Sequence, residues 1–152
     1  MFKVEVDNLE AYMNFDLVRR TDLQSLDMLI ASTAPRLERY FHRGTPAGEP
    51  GMRFRMIGYG KYEYLARNGK PVEWPVVGIA LQKNYISVYL SVSRGEEPLI
   101  EYYAGKLGEL KVGSNYFSFE HYEDLNADKL AELFTEAQHI YTTNPRYSMR
   151  SS

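Results

Sequence analysis

The sequence predicts an α+β fold: an antiparallel β-meander with the N- and C-terminal helices packed on one of its faces. Three observations carry that expectation. Apolar residues recur at helical spacing near both ends of the chain, the period changes to two from Met52 onward, and turn-forming Asn-Gly and Gly-rich stretches separate the alternating runs. With 152 residues, 44% of them apolar and 25% charged, the chain is long enough for one core and short for two. One domain is expected over residues 1–142, with 143–152 as a flexible tail.

The first helix is announced by Leu23, Leu26 and Ile30, which share one helical face. Thr21 and Gln24 fit a capping box, and Asp16 is the alternative cap of a longer helix. Pro35 ends this helix or opens a short one carrying Arg36, Arg39, Tyr40 and Phe41, because proline is tolerated only in a first turn. Gly44 to Gly51 packs three glycines and two prolines into eight residues, which is loop chemistry.

Strands follow. Phe54 and Met56 alternate with Arg53 and Arg55, and a second strand near Tyr62 to Ala66 is expected to pair back after Tyr59 and Gly60. Asn68-Gly69 is a strong turn signal. Val76 to Leu81 and Tyr85 to Val92 flank Gln82, Lys83 and Asn84 as a hairpin. In its second arm Ile86, Val88, Leu90 and Val92 form an apolar face, leaving Tyr85, Ser87, Tyr89 and Ser91 on the other. A short helix is expected near Leu99 to Tyr103, then a strand over Asn115 to Phe119 with Phe117 and Phe119 inward. The last helix is the plainest: Asn126 caps it, and Leu130, Leu133, Phe134, Ala137 and Tyr141 make its stripe.

Composition excludes several functions. Lys plus Arg is 18 and Asp plus Glu is 20, a net charge of −2, so no whole-molecule field draws the chain to nucleic acid or to anionic lipid. Zero cysteines exclude disulfides, thiolate metal sites and a cysteine nucleophile. No apolar run approaches the about 18 residues of a spanning helix, and residues 1–7 lack a signal-type core, so a cytoplasmic protein without nucleic-acid or membrane partners is expected. The chain lacks a phosphate loop, a Gly-x-Ser-x-Gly elbow and a His-Glu-x-x-His helix, and it reads as non-enzymatic with no cofactor.

Several motifs stand in a telling order: Ile57-Gly-Tyr-Gly-Lys-Tyr-Glu-Tyr64, Asn68-Gly69, Glu73-Trp-Pro75, Lys83, Tyr89, Gly105-Lys-Leu-Gly108 and Lys111-Val-Gly113. Together, over Asp16 to Tyr141, they resemble the YdhG-like family of small bacterial domains of unknown function, in its glycine-aromatic-glycine and tryptophan-proline branch. The resemblance implies an α+β fold. A related branch is described as frataxin-like iron chaperones. Where the similar branch commonly continues with lysine, serine and cysteine, this chain has Ser114, Asn115 and Tyr116, so no role of that thiol or second lysine carries over. No catalytic residue carries over either.

The 13 tyrosines are the unusual feature. A phenol ring offers broad, rigid contact with a polar tip, so tyrosines on a sheet face opposite the core suit recognition of a small molecule or a protein, including a second copy of the chain. Tyr59, Tyr62, Trp74 and Tyr89 are the expected contact residues, with Lys83 and Lys111 orienting an anionic or carbonyl group. The alternatives are iron binding on Asp16, Asp22 and Asp27, and an unrecognised enzyme site using His121 with Glu123 or His139 with Glu136.

Overall fold

A computed structural model describes residues 3–45, 53–108 and 111–147. The elements run α1 (Leu9–Met13), α2 (Arg20–Thr33), β1 (Arg39–His42), β2 (Met56–Leu65), β3 (Pro71–Leu81), β4 (Ile86–Leu90), β5 (Ser93–Arg94), β6 (Glu97–Pro98), α3 (Leu99–Tyr103), β7 (Lys111–Val112), β8 (Tyr116–Phe119) and α4 (Ala127–Thr143). Six strands form one antiparallel sheet in the order β1-β2-β3-β4-β8-β7, and β5 pairs with β6 apart from it. The α+β expectation holds: α2 and α4 bring Leu23, Leu26, Ile30, Leu130, Leu133 and Phe134 into one core with the strands. Among the described residues no helix is long and apolar enough to cross a membrane.

Register explains why the sheet has two different sides. One row across it reads Phe41, Ile57, Ile79, Val88, Phe117 and Val112, apolar in every strand, and it belongs to the helix-packed core. The neighbouring row reads Tyr40, Gly58, Gly78, Tyr89 and Tyr116 and points the other way. Fully burying each aliphatic of the first row contributes about 1.5–3 kcal/mol, so a one-residue slip in pairing is strongly disfavoured.

Local chemistry fixes the element ends. Asn126 Oδ1 accepts from the Lys129 amide at 3.1 Å and starts α4 where expected. Asn68 Oδ1 accepts from the Lys70 amide at 3.0 Å and Gly69 takes φ 80°, closing the β2–β3 hairpin. Asp16 caps the turn that leads into α2, accepting from the Val18 and Arg19 amides, whereas Thr21 falls inside the helix and makes no capping box.

Four expectations are corrected. Residues after Pro35 form edge strand β1 and not a helix, because Tyr40 and Phe41 find partners across β2 at Gly58 and Ile57. Met56 to Leu65 is one strand and not two, since Gly60, at φ 72°, passes the turn-like spot without reversing the chain. β3 begins at Pro71, before the expected Val76. The expected tail is docked as far as Tyr147: Pro145–Tyr147 form a 3-10 turn that swings the Tyr147 ring to 5.2 Å from that of Tyr62, where it is buried. The core of the Gly44 to Gly51 loop, at 46–51, lies outside the described residues.

Candidate functional site

The six expected contact residues separate into three places. Tyr59 lies on the core side, its side chain buried and its hydroxyl donating to Asp27 Oδ1 of α2 at 2.5 Å. Tyr62 is buried against Tyr147, with its hydroxyl 3.4 Å from the Ser91 carbonyl, and Trp74 is half-buried against the same core and meets the Tyr64 ring at 6.0 Å. Lys83 is exposed in the β3–β4 turn. Only Tyr89 and Lys111 share the face opposite the helices, through the pairings Tyr89 with Tyr116 and Lys111 with Ser118.

The physical reason is Gly60. Strict alternation would place Tyr59 and Tyr62 on opposite faces, yet both join the helix-packed core, as do the neighbours Val76 and Val77 on the facing strand. The positive φ at Gly60 shifts the alternation by one residue there. A Cβ at Gly60 would lie 2.9 Å from Leu37 Cδ2 and 3.1 Å from Val76 Cγ2, so glycine is also required by the close packing. The expectation that Tyr59 and Tyr62 stand on an open sheet face, with Trp74 at its rim, is corrected accordingly.

The second face has a floor of small residues under large ones. Tyr40 lies over Gly58, and the Met56 thioether lies over Gly78. Met56 and Ala80 are buried although neither belongs to the helix-packed core. The hydroxyls of Ser87 and Ser118 pair at 2.8 Å across the strands and satisfy each other. Across this floor runs a ring row: Phe54 to Tyr89 at 5.6 Å between centroids, and Tyr89 to Tyr116 at 5.4 Å. Tyr116 in turn lies against the Gly113 backbone at the sheet edge.

Phe54 is 39% exposed, and Tyr89 and Tyr116 are half-buried, so the row presents ring surface to solvent. The Tyr89 phenol titrates above its ordinary range, chiefly through burial and then through the nearby phenols of Tyr116 and Tyr85. It is therefore a neutral hydroxyl at neutral pH, a donor and acceptor at the edge of an apolar surface. Phe54 and Tyr116 were absent from the expected contact set. Their signal was present in the alternation, since Phe54 shares parity with Met56, and Tyr116 faces away from Phe117.

No protein-family model matches the chain, and neither a curated protein nor a solved structure matches it.

Three residues of the other two readings, Asp16, Asp27 and Glu136, have partners of their own. Asp16 is ion-paired with Arg19 at 2.7 Å and Asp27 with Arg39 at 2.9 Å, and among the described residues no group of three His, Asp or Glu stands together as metal ligands. Glu136 and His139 line a shallow groove of about 570 Å³ beside Tyr103. There the Glu136 carboxylate already accepts from the Tyr103 hydroxyl at 2.9 Å and pairs with Arg94 at 3.2 Å.

Proposed function

We propose that this chain is a cytoplasmic, non-enzymatic binding module of the YdhG-like kind that recognises a small molecule or a protein partner on the Phe54–Tyr89–Tyr116 ring row. The observation that carries the reading is the continuous row itself, laid on a floor of glycine, alanine and serine and half-open to water. A planar or apolar group gains contact with three rings, two of which, Tyr89 and Tyr116, are held in place by sheet strands, so little side-chain entropy is lost on binding. Lys111 stands two register rows from Tyr116, on the same face, and suits an anionic or carbonyl group on the ligand.

The test uses anilinonaphthalene sulfonate, a planar apolar probe with one anionic group. Saturable binding to the native chain is expected, weakened about two- to tenfold by Tyr89→Ser or Tyr116→Ser, the range for one lost ring contact. Lys111→Glu weakens it further. Binding that both tyrosine variants leave unchanged, with their melting temperatures also unchanged, refutes the reading.

A further inference from the structure

A second concavity, on the helix side of the sheet, lies between α2, the turn that follows it and the starts of β1 and the Tyr59 segment. It measures about 340 Å³, the low end of the range for small-molecule sites. At its base is the Asp27 carboxylate, whose side chain is only 17% exposed. Oδ1 receives the Tyr59 hydroxyl at 2.5 Å and Oδ2 receives Arg39 Nη1 at 2.9 Å.

The two partners differ in kind. Tyr59 is buried and fixed, and its phenol keeps its proton well above the ordinary range, first because it is buried and then because Asp27 is beside it. It donates a hydrogen bond and brings no charge. Among the described residues Arg39 is the only cation lining the cavity, and its side chain, 47% exposed, reaches across to Asp27. Among the described residues that line it, Glu38 is a second acidic residue beside Asp27, and Arg39 is the one basic residue. Ala31, Pro35 and Leu37 supply apolar wall.

We infer that this cleft is a binding site for a small organic cation, a primary amine or guanidinium on a short apolar stem, with Asp27 as its counter-ion and Arg39 as a tethered stand-in that the ligand displaces. The arginine is a weak plug, because its half-exposed guanidinium regains water when it leaves the carboxylate. An incoming ammonium replaces the bond to Oδ2 while its stem covers the apolar wall, and the Tyr59 hydroxyl holds the carboxylate in place throughout. This site is independent of the ring row, which lies on the opposite face.

The experiment titrates the full chain with butylamine, butylguanidinium and, as the opposite charge, butyrate, following the ring signals of Tyr59 by NMR. Both cations are expected to shift Tyr59 saturably while leaving Tyr89 unmoved, and butyrate is expected to shift neither. Arg39→Ala should tighten cation binding about two- to fivefold, the strength of an ion pair with a half-exposed arginine that no longer has to be broken. Asp27→Asn should weaken it about tenfold or more, through loss of the charge-assisted bond. Should Asp27→Asn lower the melting temperature sharply, Arg39→Ala decides alone, since a half-exposed residue can be lost without opening the core. Weaker cation binding after loss of Arg39, butyrate bound in place of the amine, or no cation binding even to Arg39→Ala would each overturn the assignment.

Discussion

The Tyr40 ring lies directly over Gly58: a Cβ built on that glycine would sit 2.5 Å from Tyr40 Cε1. The pair is a register pair, so the edge strand β1 is laid on β2 by a ring that only a glycine admits. Gly58→Ala is expected to cost about 1–3 kcal/mol in urea unfolding, the usual range for overpacking. The same change made in a Tyr40→Ala background should cost distinctly less, giving a coupling of about 1 kcal/mol between the two positions. Strict additivity in that cycle would show that Gly58 is needed for another reason.

Tyr59→Phe tests the link between α2 and the sheet. It removes a buried donor and leaves Asp27 Oδ1 without that partner, while the ring and its packing remain. Hydrogen bonds to charged groups are worth about 1.5–3 kcal/mol, and a loss of that size is expected. A loss below about 0.5 kcal/mol would mean that water takes over the bond at no cost.

Much of this architecture was legible in the residues. Ile86, Val88 and Leu90 alternate cleanly because β4 is paired on both sides and packed by helices on one side only. Asn126 and the stripe from Leu130 to Ala137 are local signals that tertiary context left untouched. The contact residues were less legible, and Gly60 is why. A dihedral sign at one glycine moved Tyr62 and Val76 into the helix-packed core, and nothing in the run from Gly58 to Tyr64 distinguishes that glycine from a turn. Arg39 to His42 was hidden for another reason. An edge strand of four residues takes its identity from the partner strand, and its own alternation is too short to read.

The C-terminal turn gives a further test. Tyr147 is buried against Tyr62, and its hydroxyl accepts from the Ser93 amide at 3.1 Å, so it ties the chain end to the segment after β4. Tyr147→Ala is expected to cost about 3 kcal/mol, as large aromatic truncations in a core do. Truncation before Pro145 should lower the melting temperature by about as much as the alanine change. An unchanged melting temperature after that truncation would show that the turn is undocked in solution.

Alkaline titration follows from the buried phenols. Burial pushes Tyr12 up to about 12, against the bond it accepts from the Leu81 amide, and Tyr59 is raised further by burial and by Asp27. Both raised values stabilise the protonated form in the folded chain. Their contribution is therefore full below the ordinary phenol value of about 10 and is lost as pH rises through the folded values. Ultraviolet absorbance should show the phenolate signal of these two rings appearing together with loss of helical circular dichroism. Substituting both by phenylalanine should remove that part of the alkaline transition. Ionisation of Tyr12 and Tyr59 well before unfolding would contradict their burial.

Acid titration tests the opposite sign at Asp16. Its carboxyl is held below the ordinary range, first by the Arg19 Nε bond at 2.7 Å, and the Val18 and Arg19 amides add to this. Arg19 in turn donates to the Tyr85 carbonyl at 2.5 Å, so this ion pair fastens the entry of α2 to the start of β4. A depressed carboxyl contributes stability that is present above its unfolded value, about pH 4, and lost as pH falls through the lower folded value. Asp16→Asn should therefore melt below the unaltered chain at neutral pH, by about 1 kcal/mol for a partly exposed pair. The two melting curves should converge as the pH drops below about 4, where the native carboxyl becomes protonated too. A gap that stays constant down to strong acid would assign the effect of the substitution to packing and not to charge.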